Sequence, residues 1–395
     1  MCLLLFAIKM TNKVENNTKH PVYLDCNATT PAESEVLKVA QTFLLEEFGN
    51  AGSRTHSYGA RAKQAIQRAR EQVAAVVQAK KDEVVFTSGA TESNNIALLG
   101  LARQGEQEGR KHIITTAIEH KAVLEPMDRL EEMGFEVTRL PVGKNGWIDP
   151  SAVSKALRPD TFLLSVMQAN NETGIIQPLD EIATVLEGHP TFFHTDAAQG
   201  FGKELVPLQN RRIDLISISG HKIYAPKGIG ALIIRKRGYK RIPIQPLMVG
   251  GGQERGLRPG TLPVPLIAAL GKAAEMALTN SEQRSVRCSE LRQAALEGLQ
   301  FLKPQIVGDQ KKSLPHVLNL SIGNLDSEAL MVATKHLVAI SNGSACTSSS
   351  YSPSHVLMAM GMSEEEANCC VRISWCHMTP DVEWKKFSET IQSLV

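Results

Sequence analysis

The sequence predicts an α/β fold in which helices cover a mainly parallel sheet. From Glu83 to about Ile234, short β-branched or aromatic runs alternate with longer stretches punctuated by charge at helical spacing, the trace that strand–helix–strand units leave in a chain. The strand runs are also all short enough to be strands buried between helix layers.

Taken in order, the predicted strands are Val84–Thr87, His112–Thr115, Glu136–Leu140, Thr161–Val166, Thr191–His194, Ile213–Ser217 and Ala231–Ile234. Between them Thr91–Gln104, Ala122–Met133, Ser151–Leu157 and Asp180–Leu186 carry helical patterns, long enough to serve as the crossovers that parallel strands need. Beyond the glycines at 250–252, a long helical pattern runs from about Pro265 to Leu302. From Pro304 to Val395 the alternation thins, which predicts a second, smaller domain. Residues 1–20 are expected to be disordered: an apolar run, Cys2–Ile8, precedes a polar stretch, and either Met1 or Met10 can start the chain.

Composition narrows the function classes. With 43% hydrophobic and 21% charged residues among 395, the chain suits a soluble enzyme. Its 43 basic residues against 41 acidic ones leave a net charge of +2, so no overall field recruits nucleic acid or an anionic membrane. The Cys2–Ile8 run has no basic residue before it, no cleavage site after it, and is too short to span a bilayer. Seven cysteines include no C-x-x-C pair of metal or redox type, which fits a reducing cytoplasm and a chain without a metal.

The strongest chemical signal is Ser219-Gly220-His221-Lys222, directly after the apolar run Ile213–Ile218. A lysine at the carboxyl end of a buried strand sits where open α/β sheets bind ligands, and a neutral amine there can form a Schiff base; a solvated loop lysine is the plain alternative. Asp196 likewise follows an apolar run. A carboxylate at such a position can keep a pyridine nitrogen protonated, with Gln199 near the ring hydroxyl. Between a strand and a helix, Ser88-Gly89-Ala90-Thr91-Glu92-Ser93 offers small residues and a helix amino terminus, suited either to a phosphate or to a capping box. His120, in Glu119-His120-Lys121, lies on the same rim, where an imidazole can stack on a ring and move protons. Cys346 stands in a loop of small and polar residues, Ser341–Ser354, an exposed thiol able to act as nucleophile. Cys369, Cys370 and Cys376, near the apolar run around Ile373, read as structural.

Together these residues make the chain resemble the cysteine desulfurases of the NifS/IscS family, from Tyr23-Leu24-Asp25 to about Pro380. The shared motifs include Ala28-Thr29-Thr30-Pro31, Ser88–Ser93, Glu119-His120-Lys121, Asn170-Asn171-Glu172, Asp196 with Gln199, Ser219–Lys222, Arg258-Pro259-Gly260-Thr261 and Gly343-Ser344-Ala345-Cys346. The resemblance implies an aspartate-aminotransferase type fold of class V, with a large domain (residues 35–275) holding a mainly parallel seven-stranded sheet and an α+β small domain (21–34 with 276–395). It implies pyridoxal 5'-phosphate held as a Schiff base on Lys222, Asp196 on the ring nitrogen, Gln199 at the ring oxygen and His120 stacked on the ring. Ala90, Thr91, Ser219 and His221 would bind the phosphate or its surroundings. Thr261 would complete that site from the other subunit of a homodimer. Asn171 would contact cofactor and substrate, and Arg372 would clamp the substrate carboxylate. The implied reaction converts L-cysteine to L-alanine, with a persulfide on Cys346 that passes to a sulfur-acceptor protein.

Two departures stand out. Trp375-Cys376-His377-Met378 replaces the usual Leu-Gly-Arg-Phe, which bears on local packing and on a second basic residue. The chain also ends at Val395, without the longer tail that docks an iron–sulfur scaffold in the housekeeping branch. That points to a dedicated desulfurase, of the DndA type that supplies DNA phosphorothioation, rather than to general iron–sulfur cluster assembly. Transamination, another β-elimination, or a non-catalytic scaffold are the competing readings; Cys346 argues against the first two, and the set Lys222, Asp196, His120 and Cys346 argues against the last.

Overall fold

The computed structural model describes residues 20–343 and 353–394. In chain order its strands are β1 (Val22–Tyr23), β2 (Val84–Thr87), β3 (His112–Thr116), β4 (Glu136–Leu140), β5 (Thr161–Ser165), β6 (Phe192–Asp196), β7 (Leu215–Ser219), β8 (Gly230–Ile234), β9 (Gln305–Ile306), β10 (Val317–Ser321), β11 (Val338–Ala339) and β12 (Cys370–Ser374). Seven of them form one sheet in the order β2-β8-β7-β6-β5-β3-β4, the mainly parallel α/β fold expected. β8 alone runs antiparallel to both neighbours. β12-β10-β9 form an antiparallel sheet, and β1 pairs in parallel with β11.

The apolar runs became strands because helices cover both faces of the sheet. Residues of β2, β3, β5, β6 and β7 are all buried. β4 differs from the expectation of burial: it is one of the two edge strands and carries Glu136, Thr138 and Arg139, and only Leu140 of it is buried. β6 and β7 each start later than the sequence suggested and extend two residues further. Asp196 and Ser219 are therefore the last residues of their strands.

Two predicted helices are each divided. The pattern over 91–104 splits into Ala90–Leu99 and Ala102–Glu108 around Gly100, and the long C-terminal pattern splits into Val264–Thr279 and Ser281–Leu299 at Asn280. Gly100 closes on its surroundings: a Cβ there would stand 2.6 Å from Ile244 Cγ2, so the chain turns where only glycine fits. One apolar cluster packs on the large sheet through residues such as Ile114, Leu164, Ile216 and Ile267, and it also takes in Val356 and Leu357. A second joins Leu24 to Leu291, Leu318, Ile373, Trp375 and Phe387. Among the described residues no helix is long and apolar enough to cross a membrane.

Candidate active site

β3, β5, β6 and β7 are mutually parallel, and β2, antiparallel to β8, shares their direction. Their carboxyl ends therefore open on one edge, the place where such sheets bind ligands. A cavity of about 440 Å³ lies there. It is lined by Ala90 and Thr91 after β2, His120 after β3, Asn171 after β5, Asp196 and Gln199 at β6, and Ser219, His221 and Lys222 at β7. Arg372 reaches it from β12.

Asp196 is buried, and both its oxygens are held: Oδ1 accepts from the Ala198 N–H at 2.9 Å and Oδ2 from Asn94 Nδ2 at 2.7 Å. Lys222 Nζ donates to the carbonyl oxygens of Asn27 and Ala28, the latter at 2.9 Å. Two residues on, Tyr224 adopts a left-handed backbone (φ 70°), a conformation that costs a non-glycine residue energy and persists only where packing enforces it. Its ring is buried with Cys26 and Cys376.

His120 Nδ1 accepts from the Ala122 N–H at 3.0 Å, which leaves the proton of the neutral ring on Nε2. Burial holds this imidazole below its usual range, the Asp196 carboxylate opposing and the Lys222 charge reinforcing the shift. His221 is pulled down to about 4, mainly by burial and then by Lys222. Its Nδ1 lies 3.1 Å from Thr29 Oγ1. The Arg372 guanidinium is fully buried; Nη2 donates to Asp25 Oδ1 at 2.6 Å and Nη1 to the Asn171 carbonyl at 3.0 Å.

These residues fit pyridoxal phosphate. The first turn of the helix Ala90–Leu99 presents N–H groups with no intrahelical acceptor, aimed where an anion can sit. Gln199 Nε2 is engaged by the Asn27 carbonyl, while its Oε1 is buried without a partner and can accept from a ring hydroxyl.

Of the residues singled out from sequence, the fold brings ten to this cavity and leaves Thr261 out. Thr261 is exposed and lines a separate hollow with Asn50 and Gln253, although Arg258 of the same loop bonds Glu92 at 2.8 Å, in the first turn of the helix Ala90–Leu99. Cys346 lies outside the described residues. The departure at 375–378 is taken up in packing: Trp375 Nε1 donates to the Cys288 carbonyl, Cys376 is buried beside Cys26, and His377 faces Glu33 at 2.8 Å rather than the cavity. Sequence reasoning missed Asn94, Asn27 and Asp25. Asn94 had a readable signal, standing one helical turn after the cradle residue Ala90 and so on the same face.

The chain matches the Aminotransferase class-V family over residues 22–387. It is 46% identical over 365 residues to a cysteine desulfurase of Homo sapiens, covering 92% of this chain and 79% of that one. It is 45% identical over 367 residues to a cysteine desulfurase IscS of Anaeromyxobacter sp. (strain Fw109-5), covering 92% and 90%. Among solved structures, DndA from Streptomyces lividans aligns with a TM-score of 0.79 at 52% identity over 90% of this chain and 99% of its own. A NifS-like protein aligns with a TM-score of 0.87 at 37% identity over 95% and 99%. With the fold, the cavity and these likenesses in agreement, the chain belongs to the class-V aminotransferase family and, within it, to the pyridoxal-phosphate-dependent cysteine desulfurases.

Proposed function

We propose that this enzyme takes sulfur from L-cysteine and collects it on Cys346. The observation that carries the reading is the meeting of Lys222, Asp196, His120 and Arg372 on one cavity, since an amino-acid desulfurase needs an amine, a ring-nitrogen partner, a proton carrier and a carboxylate clamp together. Pyridoxal phosphate, when bound, supplies an electron sink for the α-carbon. Arg372, already aligned by Asp25 and the Asn171 carbonyl, orients the substrate carboxylate. Lys222 would hold the cofactor, and its amine takes the substrate's α-proton. Asp196 would keep the ring nitrogen protonated, and neutral His120 exchanges a proton with the substrate sulfur.

The Cys346 thiolate attacks the substrate sulfur: an S–S bond forms, the C–S bond breaks, and the carbon regains a proton. Cysteine plus enzyme thiol thus gives alanine plus enzyme persulfide, with no external oxidant. The helix amino terminus at Ala90 and Thr91, with Ser219 and His221, would seat the phosphate, and Thr261 of the partner subunit in a homodimer would complete that seat. Residues 35–275 as the large domain and 21–34 with 276–395 as the small one belong to the same reading, supported by the cluster that joins Leu24 to residues 288–391. The persulfide passes to an acceptor protein in the cytoplasm. The 52% identity to DndA favours a dedicated sulfur pathway such as DNA phosphorothioation over general iron–sulfur cluster assembly.

The test is Cys346→Ser. It is expected to fold, bind cofactor and respond spectrally to L-cysteine, yet release no alanine at a useful rate. Mass spectrometry of the wild type after brief exposure to cysteine without reductant should find one added sulfur on the peptide containing Cys346. Sulfur on Cys376 or the Cys369–Cys370 pair instead, or an active Cys346→Ser, would overturn the proposal.

A further inference from the structure

Glu172 is buried and does not line the cavity of Lys222, yet its carboxyl is a meeting point for two stretches of chain distant from it in sequence. Ser354 Oγ donates to Glu172 Oε2. Gly343 packs on the same oxygen, which would stand 3.3 Å from a Cβ at residue 343. Gly343 has φ 84°, so both its backbone and its contact with the carboxyl favour glycine. Between these two residues the chain carries Cys346.

The clasp is fixed from behind. Asn170 Oδ1 accepts from the Glu172 N–H at 2.8 Å, and Asn319 Nδ2 reaches the Glu172 carbonyl at 3.4 Å. Each stretch is also moored to the immediate surroundings of the site. Before Gly343, Ser341 exchanges backbone hydrogen bonds with Arg372 itself. After Ser354, His355 Nε2 bonds the carbonyl of Glu119, next to His120. Glu172 in turn follows Asn171, whose carbonyl accepts from Arg372. Burial pushes the Glu172 carboxyl above its usual range, with the Ser354 bond and the charges of His355 and Arg372 acting in the opposite direction.

We infer that Glu172 is a positioning residue for sulfur transfer: its carboxyl clasps Gly343 and Ser354, the two sides of the segment that carries Cys346, and so sets the reach of that thiol into the cavity of Lys222. The inference rests on the reading of Cys346 as the sulfur acceptor. The clasp needs an acceptor oxygen rather than a charge, so Gln can replace Glu and Ala cannot. A nucleophile displaced by an ångström loses on the order of 100-fold in rate without loss of substrate binding.

The experiment compares Glu172→Ala, Glu172→Gln and Ser354→Ala with the wild type and Cys346→Ser, all as cofactor-loaded full chains mixed with L-cysteine. Three signals are read: the cysteine-induced absorbance change, alanine release, and added sulfur on the Cys346 peptide. Glu172→Ala should keep the absorbance change and the cysteine concentration at half-saturation while losing about 10- to 100-fold in alanine and persulfide formation. Ser354→Ala should lose in the same two signals, and Glu172→Gln should recover to within a few-fold of wild type. Wild-type transfer in both Glu172→Ala and Ser354→Ala would overturn the inference. So would loss of the absorbance change together with transfer, which marks a general structural role, or a Gln variant as slow as Ala. An active Cys346→Ser overturns the reading of Cys346 itself, and the inference with it, a result separable from any behaviour of Glu172.

Discussion

Asn94 Nδ2 donates to Asp196 Oδ2 at 2.7 Å, both residues are buried, and Asp196 lines the cavity that also holds Lys222. The bond joins the helix Ala90–Leu99 to the carboxyl end of β6. It also leaves Asp196 with no free rotation, since the other oxygen is taken by the Ala198 N–H.

Asn94→Ala is accordingly expected to retain the cofactor through Lys222 but to weaken the hold of Asp196 on the ring nitrogen. A lost hydrogen bond to a charged group is worth about 1.5–3 kcal/mol, or on the order of 10- to 100-fold in turnover. The check is the visible absorbance of the bound cofactor against pH. It should become pH-dependent near neutrality in the variant and stay constant in the wild type. Identical titrations with unchanged turnover would count against the role.

Thr261 faces away from the Lys222 cavity of its own chain, so the phosphate seat is expected to be shared across a dimer. Co-expressing a Lys222→Ala chain with a Thr261→Ala chain should generate mixed dimers with one intact site. Random pairing then restores about one quarter of wild-type activity. Activity no higher than the mean of the two parental homodimers would exclude sharing.

Glu119 predicts a pH dependence of stability. Burial pushes its carboxyl up to about 8, against the bonds it accepts from Thr116 Oγ1 and the Met167 N–H. Between the ordinary carboxyl range and about 8 the folded enzyme keeps a proton that the unfolded chain releases, so stability falls as pH rises through that window and levels off above it. The slope contributed is at most about 1.4 kcal/mol per pH unit. Glu119→Gln keeps the acceptor oxygen and has no proton to lose. Thermal melts from pH 5 to 9 should show it gaining on the wild type as pH rises, whereas parallel curves would remove Glu119 as the cause.

The sequence alone determined the seven strands of the large sheet, because a run such as Ile213–Ile218 is apolar nearly throughout and can be buried only as a short strand between layers, whereas β1 and β9–β12 were not read from it. It also brought out the candidate set, since Lys222, Asp196 and His120 each follow such a run, and a parallel sheet brings the ends of its strands to one edge whatever their order. The sheet order, the antiparallel insertion of β8 and the breaks at Gly100 and Asn280 came from packing between elements, which leaves no periodic trace in a single segment. The same holds for the partners of the reactive groups. Lys222 is held by carbonyls of Asn27 and Ala28, Asp196 by Asn94, and Arg372 by Asp25. Backbone carbonyls are chemically alike at every position, and a buried asparagine reads like an exposed one until the chain has folded. Which of them meets a given side chain across some hundred or more residues is therefore decided by the tertiary structure.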